Sequence, residues 1–167
     1  MGTENENRRG QLSLAVDKES LTEIIKLINK ENINEKDKTG RTALSWAAVT
    51  RRVDAVELLL NSGAVLDCVD YVGRSPLSWA AESSSLAVVK LLIDRGANVN
   101  LKDVKGTGPF GWAHRAGHGP DIYAVKRVLQ EHGASRVREI WFPQLRFLTR
   151  NWRRMPGTSA RPKTPQK

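Results

Sequence analysis

An all-α solenoid of stacked modules with a basic tail is the fold class this sequence predicts, on three observations. A segment recurs at a constant interval, each copy carries apolar residues at helical spacing, and positive charge gathers beyond the last copy. The first copy, Asp37-Lys38-Thr39-Gly40-Arg41-Thr42-Ala43-Leu44-Ser45-Trp46-Ala47-Ala48, returns as Asp70-Tyr71-Val72-Gly73-Arg74-Ser75-Pro76-Leu77-Ser78-Trp79-Ala80-Ala81. It fades into Asp103-Val104-Lys105-Gly106-Thr107-Gly108-Pro109-Phe110-Gly111-Trp112-Ala113-His114. Matched residues lie 33 apart each time (70 − 37, 103 − 70, 79 − 46, 112 − 79). Such a period belongs to modules that bury their apolar stripes only against neighbours, so stability grows layer by layer.

Taken in order, residues 1–9 are polar and read as a flexible N-terminus. Residues 10–36 hold a disguised copy without the Asp-x-x-Gly opening: Leu12-Ser13-Leu14-Ala15-Val16 has the spacing of Leu44-Ser45-Trp46-Ala47-Ala48, and Leu21-Thr22-Glu23-Ile24-Ile25-Lys26-Leu27-Ile28 resembles Leu86-Ala87-Val88-Val89-Lys90-Leu91-Leu92-Ile93. Asp17, Lys18, Glu19, Glu23 and Lys26 give it the water-facing polarity that an N-terminal cap needs. In residues 37–69, Asp37 and Gly40 supply turn chemistry, and Thr42 is placed to cap a helix whose Leu44, Ala47 and Ala48 share a face. Val53, Val56, Leu59 and Leu60 mark a second helix ending at Gly63, a residue suited to the left-handed conformation after a helix. Residues 70–102 repeat the plan, with Pro76 in the first helical turn, where its missing N–H costs nothing. Leu86, Val89, Leu92 and Ile93 form the second stripe of that module, before Gly96.

Residues 103–136 are a degenerate copy. Gly108 and Gly111 replace helix-friendly residues, each at about 1 kcal/mol relative to alanine in a helix interior. Gly96 to Gly133 spans 37 residues (133 − 96), so four are inserted (37 − 33), and a longer loop near residues 117–121 is expected in a looser module. Val125, Val128 and Leu129 keep the stripe.

The Asp-x-x-Gly-Arg-Thr-Ala-Leu-Ser-Trp-Ala-Ala pattern, with Val-Val-Lys-Leu-Leu-Ile-Asp-Arg-Gly-Ala-Asn-Val-Asn after it, resembles the ankyrin repeat over residues 10–136. The resemblance implies paired antiparallel helices joined by hairpin-like loops, and a concave groove that binds other proteins. The family's histidine is replaced by Ser45, Ser78 and Gly111, which predicts loss of the hydrogen bonds that this histidine gives to adjacent turns.

Trp46, Trp79 and Trp112 recur at the period and should form a ladder, with Leu14 at the matching cap position. They are either an aromatic floor to a groove or packing between modules; one residue kept in three copies favours packing. The hairpin tips instead vary: Lys38-Thr39, Tyr71-Val72 and Val104-Lys105, flanked by Arg41 and Arg74. Positions after the first helices vary too, at Val49-Thr50, Glu82-Ser83 and Arg115-Ala116. Variation on a constant scaffold is what a recognition surface on loops displays, and it is equally what unconstrained surface displays. By resemblance, the protein-binding residues are Lys38, Thr39, Arg41, Val49, Thr50, Tyr71, Val72, Arg74, Glu82, Ser83, Val104 and Lys105.

The net charge of +9 is uneven. Residues 135–167 carry nine basic side chains against Glu139, or +8, which leaves +1 for the rest. In residues 137–155, Leu145, Leu148, Trp152 and Met155 fall at helical spacing, with Arg146, Arg150, Arg153 and Arg154 elsewhere on the circumference. Such a segment can lie on an anionic membrane, enter a partner's groove, touch nucleic-acid phosphates, or fold back through Trp141, Phe142, Leu145 and Leu148 to cap the last module. Residues 156–167 read as a disordered tail.

Catalysis is not expected. Ser83-Ser84-Ser85 have no His-acid partner nearby, and no phosphate-binding glycine loop occurs. His114 and His118 stand four apart, but glycines flank His118 and no cysteine is close, so neither a metal nor a cofactor is expected. No apolar run reaches the roughly 18 residues of a membrane span. A single cysteine, Cys68, and a polar N-terminus point to the cytoplasm or nucleus. The expected function is that of a monomeric, non-catalytic adaptor for a protein partner; the alternative is a nucleic-acid or anionic-membrane binder acting through the tail.

Overall fold

The computed structural model describes residues 16, 21–28, 32–117 and 120–135. The chain divides into two units, residues 1–136 and 137–167, and every described residue belongs to the first. The expectations for residues 1–9, for the amphipathic segment 137–155 and for the tail 156–167 lie outside the described residues, as does His118.

Seven helices and no strand occur among the described residues: α1 (Leu21–Leu27), α2 (Ala43–Val49), α3 (Val53–Asn61), α4 (Pro76–Glu82), α5 (Leu86–Asp94), α6 (Pro109–Arg115) and α7 (Pro120–Glu131). Caps set their starts. The Thr42 hydroxyl accepts from the Ser45 N–H at 3.4 Å, and the Ser75 hydroxyl accepts from the Ser78 N–H at 3.2 Å, each satisfying a donor that has no partner within the helix. Helix α6 begins at Gly108 with no side-chain cap, leaving Pro109 to set its first turn.

Helices α2, α4 and α6 pack side by side as one row, and α1, α3, α5 and α7 pack as a second row against it. The buried residues repeat with the module: Leu44 and Leu77 on the first helices, Leu59 and Leu92 on the second, all fully buried. Each such leucine contributes about 1.5–3 kcal/mol, so the stack rests on a periodic apolar seam. Val53 departs from the periodic expectation, and in α1 Ile25 is 58% exposed. Val53 is 37% exposed, and Ala55 occupies the buried position beside Val56 and Leu59.

The insertion in the fourth module is also distributed differently from expectation. Helices α3 and α5 have 9 residues each, whereas α7 has 12, so three of the four extra residues lengthen a helix. Only one enlarges the connection, which runs from 116 to 119 against 50–52 and 83–85 in the other modules. Pro120 explains this, because a proline that would break a loop-spanning helix is tolerated at the first helical position. In the shorter connections Arg51 and Ser84 adopt positive φ (62° and 61°), where the fourth module has Gly117.

Candidate functional site: the inner face of the stack

Each module opens with an aspartate that organises its own hairpin. Asp37 Oδ1 accepts the N–H of Thr39 (2.8 Å) and of Arg41 (3.0 Å), and the Asp37 N–H donates to the Arg41 carbonyl at 2.9 Å. Asp70 repeats this with Val72 (3.0 Å) and Arg74 (2.8 Å), and Asp103 with Lys105 (2.9 Å) and Thr107 (2.8 Å). The remaining oxygen faces the helix nine residues on. Trp46 Nε1–H donates to Asp37 Oδ2 at 2.9 Å, Trp79 to Asp70 at 3.2 Å and Trp112 to Asp103 at 3.1 Å. One carboxylate thus fixes both the tip and the ring that floors it.

Burial works to raise the Asp37 pKa, but bonds from the Thr39 hydroxyl, the Trp46 indole and the backbone of Arg41 and Thr39 outweigh it. The carboxyl therefore sits below its ordinary value.

Arginines interleave the rings. The Arg41 guanidinium lies 4.8 Å from the Trp46 ring centroid and 3.7 Å from that of Trp79, while Arg74 lies 3.3 Å from Trp79 and 3.6 Å from Trp112. The ladder therefore alternates ring and cation, the cations set against the negative π faces. Neither sequence reading of the tryptophans anticipated this. They join modules, but through the arginine of the preceding hairpin and not by covering one another.

Arg74 is 5% exposed and also pairs with Glu82. Burial pulls its pKa down, opposed by Glu82, Asp70 and Asp103. Of the tip and groove residues singled out in the sequence, Arg74 therefore belongs to the groove floor, its faces taken up by stacking between two indoles.

Successive tips are joined directly. The Tyr71 N–H donates to the Thr39 carbonyl at 3.2 Å and the Val104 N–H to the Val72 carbonyl at 3.0 Å. The family histidine is absent, yet these bonds hold adjacent turns together, while the Asp–Trp bonds tie each tip to its own helix. The packing is tight enough that a Cβ on Gly40, whose φ is 81°, would lie 2.5 Å from the Tyr71 nitrogen.

Between the tips and the first helices lies an open groove of about 290 Å³, walled by Thr39, Val72, Val104 and Lys105 and floored by Arg41, Arg74, Trp79 and Trp112. The structure thus brings together six of the twelve residues singled out in the sequence. Tyr71 stands beside the groove at the tip, 67% exposed, with Lys36 Nζ 5.9 Å from its ring centroid; Lys38 is exposed on the neighbouring tip.

The other four lie at the far ends of α2 and α4. There the Thr50 hydroxyl donates to the Trp46 carbonyl (2.8 Å) and the Ser83 hydroxyl reaches the Ala48 carbonyl of the preceding module (3.3 Å). Val49 is half-buried against the core, and Glu82 holds Arg74. These four serve the scaffold's own contacts. Arg146, Arg150, Trp152, Arg153 and Arg154 fall outside the described residues.

A family model for ankyrin repeats, in three copies, matches residues 12–103, more than half of the chain. No match was found among curated proteins. The last described helix pair, α6 and α7, lies beyond the matched residues and continues both rows of the stack. With the period, the helix pairs and the linked hairpins in agreement with that match, the chain belongs to the ankyrin-repeat family.

Proposed function

We propose that the chain is a non-catalytic adaptor that binds a protein partner through the groove and hairpin tips of its inner face. Ankyrin repeats are generally protein–protein interaction modules. The observation that carries the reading is a row of large apolar side chains left in water on a rigid support. Tyr71, Val72 and Val104 are 67%, 50% and 72% exposed, on tips tied to one another and to the tryptophans beneath. Apolar residues on a preorganised surface bind with little loss of conformational entropy, which is how such a surface acquires affinity. On this reading the protein acts as a monomer inside the cell.

Panning the full chain against a random-peptide library tests the proposal. Selected peptides should lose about tenfold or more in affinity for a Val72→Ser/Val104→Ser variant, a loss typical of removing interface anchors. Peptides that bind this variant as well as the parent would remove the groove from consideration.

The concentration of +8 in residues 135–167 supports a second reading, binding of nucleic acid or anionic membrane through the tail. Binding of that kind would weaken steeply with salt and disappear on deletion of residues 137–167.

A further inference from the structure

The charge of the inner face narrows what can occupy the groove. Segments 36–41, 69–74 and 102–107 together hold six cations and three carboxylates. The three carboxylates are spoken for: Asp70 and Asp103 each accept two backbone N–H groups and one indole N–H, and Asp37 accepts the same set plus the Thr39 hydroxyl. The cations are not answered to the same degree. Lys38, Lys102 and Lys105 are exposed and have no ion-pair partner among the described residues. In the groove floor Arg74 is already paired with Glu82, and only its buried Nε is without a hydrogen-bond partner. The wall beside these charges carries the apolar side chains of Val72 and Val104.

We infer that the groove takes an extended acidic peptide, one carboxylate side chain facing Lys105 and its apolar neighbours lying on Val72 and Val104. This inference rests on the groove reading proposed above and specifies the chemistry of its partner. A carboxylate is the complement that Lys38, Lys102 and Lys105 lack, and a basic segment would meet like charge at the first and third tips. An extended backbone suits the site because tips bonded to one another offer a repeated step rather than one deep hole.

The test uses peptides selected on the full chain. Their sequences should be enriched in Asp or Glu next to an apolar residue. Replacing that acid by its amide should weaken binding by about tenfold, and Lys105→Glu in the protein should do the same, with circular dichroism confirming an unchanged fold.

Lys105 is exposed and its side chain holds nothing in the scaffold, so the variant reports on charge. Equal affinity of the acid and amide peptides would overturn the acidic specificity while leaving the groove in place. Acidic peptides indifferent to Lys105→Glu would be held by the basic tail, which also overturns it. Peptides indifferent to the Val72/Val104 variant would instead remove the groove reading itself.

Discussion

Replacing Arg74 by alanine breaks the ring–cation ladder at its best-packed rung. The guanidinium sits 3.3 Å from the Trp79 centroid and 3.6 Å from that of Trp112, so two contacts of about 0.5–2 kcal/mol each are lost. The pair with Glu82 adds about 1 kcal/mol at most, because that carboxylate is partly exposed and regains water when left alone. Against these losses, burying a cation has its own cost, which disappears with the side chain. A net destabilisation of about 2–3 kcal/mol is expected, with a gap left between two indoles.

Urea unfolding followed by tryptophan fluorescence measures it directly. Arg74→Met separates the causes, since methionine fills the gap without charge and recovers only the packing share. An Arg74→Ala variant within about 0.5 kcal/mol of the parent would refute the claim that this rung couples modules.

Three further predictions follow from the hairpins and connections. The Asp37 carboxyl is held below its ordinary value in the folded chain, so its stabilisation is full above the unfolded value and is lost as pH falls through the folded one. The stability gap between the parent and Asp37→Asn should therefore be open at neutral pH and close on acidification below about pH 4; a gap independent of pH contradicts it. Gly40→Ala should cost at least about 1 kcal/mol more than Gly63→Ala, because both have positive φ but only the first places a Cβ against the Tyr71 backbone. Equal losses in urea titrations would show that the tip is free to move. Ser84→Gly relieves a positive φ at a position where the fourth module has Gly117, and should raise stability by about 1 kcal/mol in the same assay.

The helical stack was legible because its signals are local and repeated. Thr42, Ser75 and Pro76 mark helix starts, Gly63 and Gly96 mark ends, and Leu59 and Leu92 mark the seam, all within a few residues of the features they control. The ladder was less legible because each rung joins different modules. Arg41 meets Trp79 and Arg74 meets Trp112 at a separation of 38 (79 − 41 and 112 − 74), one period plus the five residues from arginine to tryptophan within a module. A signal was present even so. Arginine occupies the same position in two consecutive copies, as tryptophan does in three, and the rule that assigns repeated residues to the scaffold applies to both. The Asp–Trp bond was missed for a related reason: an indole at a core-like position reads as apolar mass until its N–H is seen to need an acceptor.

Photo-crosslinking from a diazirine placed beside the acidic residue of a selected peptide is the most direct test of where a partner sits. The account predicts adducts on Val72, Val104 and Lys105 of the full chain. Adducts on the outer helices 53–61 and 86–94, or confined to residues 137–167, would contradict it.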